Sequence, residues 1–232
     1  EKKINVAEAL FRVGDGHGSY QDTEQLIQYA EKMDCVSRID MWMLEQVCMH
    51  MRHFAQIGIK RVNVNLSPKS YLDEDLVEDI RNIMRRYGVR PDQIWFELTE
   101  IAEVEDKEKM LKMVSSLCEE GFHFAIDDFG KGNSNILRLL ELPFCCIKLD
   151  KELVWRLVDH PMTMDMIRML VEFSKKYHIC VTAEGIENRE QADTLIDMGC
   201  DYLQGYMISK PLPIQEFIAF IENYGLNLEN DG

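Results

Sequence analysis

Two adjacent carboxylates, Asp127 and Asp128, sit at the end of an apolar run in the stretch FAIDDFGKGNSN, residues 124 to 135. An apolar run that rises into paired acids and a Gly-Lys-Gly turn predicts a buried strand ending in a polar loop. Barrel enzymes keep their chemistry at such places. Neighbouring residues of a strand point to opposite faces, so the pair shares a site only if the strand ends and the backbone turns there. Gly130 and Gly132 supply that turn. Paired acids at such an edge suit a divalent cation. Taken alone, the two letters also fit a structural role, with Asp128 capping a helix that starts near Asn133 and Asp127 bridged to a neighbouring strand.

Other apolar strands carry polar residues in the same place, near their C-terminal ends or in the turn that follows. These are Asn65, Glu97, Lys148, Glu184 and Gln204, with Glu8 on the first strand. A parallel barrel gathers its strand ends onto one face, so residues remote in sequence converge. A lone buried ion is costly unless it is paired or bound to metal. A salt-bridge layer around Lys148 would meet that need in part, but one lysine cannot neutralise Glu8, Glu97, Asp127, Asp128 and Glu184. The surplus implies divalent cations, and carboxylate and amide oxygens favour Mg²⁺ or Mn²⁺ over zinc or copper. Two ions bridged by a carboxylate such as Asp127 would form the clamp used in phosphoester hydrolysis, with direct attack by an activated water.

The elements that must position these groups follow from periodicity. Strands are predicted at 6 to 12, 61 to 67, 94 to 100, 123 to 128, 145 to 150, 180 to 187 and 202 to 206. Between them the spacing predicts helices from Asp22, over 37 to 56, 72 to 87, 106 to 120 and 134 to 141, from Lys151, and over 161 to 177, 189 to 198 and 213 to 224. Gly88, Gly121 and Gly199 stand where helices close. Alternating strands and helices are the signature of βα units around a parallel sheet. Seven strands are counted where a closed barrel of this type has eight, so one strand is expected upstream of Glu1 unless the barrel is unusual.

Composition narrows the function classes. A chain of 232 residues, 46% hydrophobic, can bury a full core, and six prolines with no low-complexity run predict one domain without an internal linker. A formal net charge of -15 disfavours nucleic-acid polymers and anionic membranes, and any anionic substrate must find local cations. No apolar run is long enough to cross a bilayer and no charged-then-apolar leader opens the chain, so a soluble protein without membrane contact is expected. Seven cysteines without a CxxC pair predict reduced core thiols and a cytoplasmic setting. His50 and His53 lie three apart on a predicted helix with no third ligand nearby in sequence, which is read as a structural or surface role.

The letters also match a known pattern. Glu8-Ala9-Leu10 with Phe11-Arg12, VNLS (64 to 67), ELTE (97 to 100), DDFG (127 to 130), KLD (148 to 150), AEGIE (183 to 187), QGY (204 to 206) and PLP (211 to 213) closely resemble the EAL domain, the phosphodiesterase of cyclic di-GMP. The resemblance covers nearly the whole chain in motif order. It implies an α/β fold, a (β/α)₈ TIM-like barrel with one antiparallel strand, whose first strand is missing from this chain. It further implies a single EAL domain, 1 to 232, cut from a longer multidomain protein with GGDEF or sensory modules that could itself be tethered to a membrane.

Hydrolysis of cyclic di-GMP to linear pGpG with two Mg²⁺ or Mn²⁺ ions, in a homodimer, is implied as well. By position, Glu8, Asn65, Glu97, Asp127 and Asp128 would hold metal. Glu184 would be a ligand or the general base, Lys148 would hold the attacking water or phosphate charge, and Gln204 would support that water. Arg12 looks like the phosphate-binding arginine, the local cation that the net charge requires. Leu10, Asp150 and Glu187 match substrate-contacting positions, and Glu100 resembles the residue that anchors the loop after DDFG. The family's T-G-Y-S after DDFG is here Lys131-Gly132-Asn133-Ser134, and the Trp that follows the arginine is Val13. Those departures keep a second reading open, a degenerate EAL domain that binds cyclic di-GMP or a partner protein without hydrolysis. Another metal-dependent barrel hydrolase is the third.

Overall fold

The structure is a computed structural model that describes residues 3–14, 21–99, 106–131 and 142–230. Among the described residues, strands and helices alternate as β1 (Val6–Ala9), α1 (Thr23–Lys32), α2 (Val36–Gln56), β2 (Arg61–Asn65), α3 (Leu76–Tyr87), β3 (Ile94–Thr99), α4 (Lys107–Glu119) and β4 (His123–Phe129). They continue as β5 (Cys146–Leu149), α5 (Lys151–Trp155), α6 (Pro161–Lys176), β6 (Cys180–Ala183), α7 (Arg189–Met198), β7 (Tyr202–Leu203) and α8 (Ile214–Asn230). The strands follow one another in sheet order from β1 to β7. The pairings β1·β2, β4·β5, β5·β6 and β6·β7 are all parallel. The α/β alternation expected from the sequence is therefore present, and no antiparallel strand occurs among these pairings. The helix predicted over 134 to 141 lies outside the described residues.

The chain divides into two compact units. One comprises Glu1–Phe96, Val104–Phe122 and Pro211–Gly232, the other Glu97–Glu103 and His123–Lys210. In the first, α2 buries Leu44, Val47, Met51 and Phe54 at helical spacing, and β2 buries Val62 and Val64. Each large apolar side chain buried in this way contributes about 1.5–3 kcal/mol relative to exposure. Phe217 of α8 meets Phe54 edge to face at 5.7 Å between ring centroids. The helix expected from Leu72 starts later. Pro68–Leu72 winds as a 3₁₀ turn, and the Asp73 side chain accepts from the Asp75 amide at 3.1 Å, so α3 opens at Leu76. Gly88 closes α3 in the left-handed conformation at φ +65°.

In the second unit the alternation of faces along a strand places Cys146 and Lys148 of β5 on one side and Ile147 and Leu149 on the other. Phe124, Ile126, Ile147, Leu149, Val181 and Ala183 are buried on β4 to β6. Helix α6 buries Ile167, Leu170 and Val171. The strands predicted over 180 to 187 and 202 to 206 are shorter, ending at Ala183 and Leu203. Their last residues leave the ladder to bond each other: Ile186 donates to the Gln204 carbonyl at 3.0 Å, and Met207 donates to the Ile186 carbonyl at 3.0 Å. No helix among the described residues is long and apolar enough to cross a membrane.

Candidate active site

Within the second unit, Glu97 of β3, Asp127 of β4, Lys148 of β5 and Glu184 just beyond β6 come together. The Lys148 ammonium nitrogen lies 2.7 Å from Glu97 Oε1, 3.0 Å from Asp127 Oδ1 and 2.8 Å from Glu184 Oε1. Lys148 and Glu97 are each only 1% exposed. A buried ammonium or carboxylate is sustainable only with opposite charge and hydrogen-bonding groups around it. Three carboxylates on one ammonium more than meet that need, and the four groups together carry excess negative charge when ionised.

The two aspartates reach the site by a device that the sequence reading did not anticipate. The sequence predicts a strand over 123 to 128 that ends and turns at the pair itself. Instead the strand continues to Phe129, and the pairing with β5 jumps from Ile126↔Ile147 to Phe129↔Leu149, so two residues of β4 oppose one of β5. This is a β-bulge, and Asp128 adopts φ +55° within it. An isolated aspartate tolerates this conformation better than most residues do. The bulge breaks the alternation of faces. Carboxylate oxygens of Asp127, Asp128 and Glu184 consequently lie within 4.8 Å of one another. All three donors are hard oxygens, the chemistry of a site for a hard divalent cation. The bridge of Asp127 to a neighbouring strand, raised as a structural alternative, is also present, since Lys148 belongs to β5.

The loops after β6 and β7 are locked to each other at the level of backbone. Gln204 donates to the Ala183 carbonyl at 2.8 Å, in addition to accepting from Ile186. A Cβ on Gly205 would fall 2.2 Å from both the nitrogen and the oxygen of Ile186, so only glycine permits this approach. On the other side, the Trp155 indole donates to the Gly185 carbonyl at 2.9 Å. Gly185 has φ +67°, and a Cβ there would lie 2.3 Å from Lys151 Cβ. The segment that carries Glu184 is thus gripped by α5 and by the Gln204 turn. Asp150, expected near substrate, is buried as the N-cap of α5 and accepts from the Glu152 amide at 2.8 Å. Glu187 is exposed, and its backbone donates to Gln191 Oε1 at 2.9 Å.

In the first unit, Asn65 Nδ2 donates to Glu8 Oε1 at 3.3 Å, across the β1·β2 pair. Leu10 is half-buried, and the exposed Arg12 donates to the Phe11 carbonyl at 2.7 Å. The chain just beyond Asn65 is held by a residue that the sequence reading missed. Asp40 of α2, 7% exposed, accepts from the Ser67 amide at 2.8 Å and the Ser70 hydroxyl at 2.6 Å through one oxygen. Burial pushes its carboxyl up to about 6, against those two hydrogen bonds and with help from Glu31. The signal was in the letters, because Asp40 falls in register with Leu44, Val47 and Met51 on the buried stripe of α2. Glu100 lies outside the described residues. Burial raises the Cys48 and Cys200 thiols to about 12, which makes them poor nucleophiles.

Comparison with known proteins follows the same outline. The family model described as EAL domain matches residues 1–211. Signaling protein YkoW of Bacillus subtilis is 30% identical over 222 residues, which are 95% of this chain and 28% of YkoW. Cyclic di-GMP phosphodiesterase RocR of Pseudomonas aeruginosa is 29% identical over 216 residues, 92% of this chain and 55% of RocR. The chain therefore spans between 28 and 55% of the length of these relatives. The solved c-di-GMP complex of the PaMucR phosphodiesterase superposes with a TM-score of 0.82 at 28% identity, covering 90% of this chain and 86% of that one.

Proposed function

Because the chain belongs to the EAL domain family, we propose that it is a metal-dependent phosphodiesterase that hydrolyses cyclic di-GMP to linear pGpG. The observation that carries this reading is the acidic cluster on Lys148, with three carboxylates on one buried ammonium and Asp128 beside them. Glu8, Asn65, Glu97, Asp127, Asp128 and Glu184 would hold Mg²⁺ or Mn²⁺, two ions in all. When bound, such ions lower the pKa of water and draw charge from phosphoryl oxygens.

The chain's own residues divide the remaining work. Glu184, on a segment held by the Trp155 bond to Gly185, would take a proton from the attacking water. Lys148 supplies fixed positive charge that needs no reorganisation as negative charge builds on the reacting phosphate. Gln204, tied by backbone to the segment carrying Glu184, orients the water. Arg12 provides the local cation for a phosphate in a chain of net charge -15. Leu10, Asp150 and Glu187 would contact or shape the nucleotide, and Glu100 would anchor the loop after β4. A homodimer, a cytoplasmic setting, and a GGDEF or sensory module in the parent protein belong to the same reading, as does a single EAL domain over 1 to 232.

The test is incubation of purified protein with Mn²⁺ and cyclic di-GMP, followed by chromatography for pGpG. Product formation that stops on chelation is expected, and intact substrate beside an active EAL enzyme under the same conditions would refute the proposal. One contact favours the second reading, a receptor that binds without cutting. The Lys131 ammonium sits 3.1 Å from Asp128 Oδ2, on a carboxylate that a second ion needs. Binding of cyclic di-GMP by calorimetry with no pGpG would select the receptor.

A further inference from the structure

The turn that follows β4 carries its own cation back to the acidic cluster. Asp128 at φ +55° and Gly130 at φ +99° reverse the chain, and the Lys131 amide closes the turn on the Asp128 carbonyl at 3.1 Å. The turn rests on α5, since a Cβ on Gly130 would come within 3.1 Å of Leu153 Cδ2. Backbone geometry therefore returns the Lys131 side chain to the residue three positions earlier, where its ammonium meets Asp128 Oδ2 at 3.1 Å. Asp128 is one of the three acids whose oxygens converge within 4.8 Å.

We propose that Lys131 is a tethered competitor for the divalent cation at Asp128, so that loading of that position requires the ammonium to leave. The inference rests on the metal-dependent reading above and deepens it. Two positive centres cannot share one carboxylate in close contact without repulsion. Lys131 is 48% and Asp128 28% exposed, so water screens the pair and the competition is mild. A screened pair of this kind accounts for a several-fold effect, and added repulsion between ammonium and divalent ion brings the expected change to about threefold to tenfold in metal affinity. Metal occupancy would then depend on divalent concentration in a range set by this residue. The second ion would then load at a divalent concentration about threefold to tenfold higher than without this residue.

The experiment titrates Mn²⁺ into the parent protein, Lys131→Met and Lys131→Arg without substrate, counting free ion by its EPR signal. Lys131→Met is expected to bind the weaker ion about threefold to tenfold more tightly, Lys131→Arg to match the parent, and the difference to shrink in high salt. The Mn²⁺ concentration for half-maximal turnover should fall by the same factor in Lys131→Met. Equal Mn²⁺ binding by parent and Lys131→Met, or equal behaviour of the Met and Arg variants, overturns the inference while leaving the metal reading intact. A parent protein that takes up no Mn²⁺ overturns both. The side chain is half-exposed, so neither substitution threatens folding.

Discussion

Asp40→Asn should stabilise the protein increasingly as pH rises from 3.8 to about 6, and leave it nearly unchanged near pH 3.5, where Asp40 is protonated in the folded chain and mostly so in the unfolded one. Burial raises the Asp40 carboxyl from 3.8 to about 6, while hydrogen bonds from Ser70 and Ser67 pull the other way and Glu31 adds to the rise. The folded protein therefore holds a proton that the unfolded chain releases between those two values. Stability from this group is fully present below the unfolded value and is lost as pH rises through the folded one. At about 1.4 kcal/mol for each tenfold change in proton affinity, the rise from 3.8 to about 6 amounts to about 3 kcal/mol. Asparagine stands in for the protonated acid, because its carbonyl oxygen can still accept from Ser67 and Ser70.

Urea unfolding of parent and variant at pH 3.5, 5 and 7.5 reads the difference directly, since every other titrating group is common to both. The gap should be near zero at the lowest pH and open to about 3 kcal/mol at the highest, with the denaturant slope unchanged. A gap that stays flat from pH 3.5 to 7.5 would show that Asp40 does not retain its proton on folding, and the argument from burial would fail.

Four further outcomes follow from the same geometry. Lys148→Met strands Glu97, Asp127 and Glu184 without their shared ammonium, and should cost about 3–5 kcal/mol in denaturant unfolding; a loss under 1 kcal/mol would mean that the cluster is neutralised otherwise. Asp127→Asn should weaken Mn²⁺ binding at least tenfold and lower turnover by orders of magnitude, as expected for loss of an interaction with the reacting centre. Gly205→Ala drives a methyl into the Ile186 backbone, so the turns carrying Glu184 and Gln204 must part; turnover should drop at least tenfold, and an alanine variant with parent-like kinetics would exclude that coupling. Treatment with EDTA should abolish pGpG formation and Mn²⁺ should restore it, measured by chromatography.

Much of the architecture was legible in local pattern. Alternation of Val and Asn in RVNVN announced β2, apolar spacing of 3 and 4 announced α2, and Gly88 and Gly199 marked helix ends, because these signals depend on a few neighbouring residues. Strand limits were less legible. The strands at 180 to 187 and 202 to 206 came out short because Ile186 and Gln204 bond each other across a gap of many residues, and no local window contains both.

The chemistry divides in the same way. Letters and spacing alone established the excess of oxygen donors and the resemblance to the EAL domain. Tertiary structure decided the rest: that Lys148 is shared by three acids, that a bulge and not a strand end turns Asp127 and Asp128 toward a common position, that Asp40 holds the chain beyond Asn65, and that Lys131 folds back on Asp128. The physical reason is that periodicity is a property of consecutive residues, whereas charge pairing and register depend on distances through space between strands far apart in the chain.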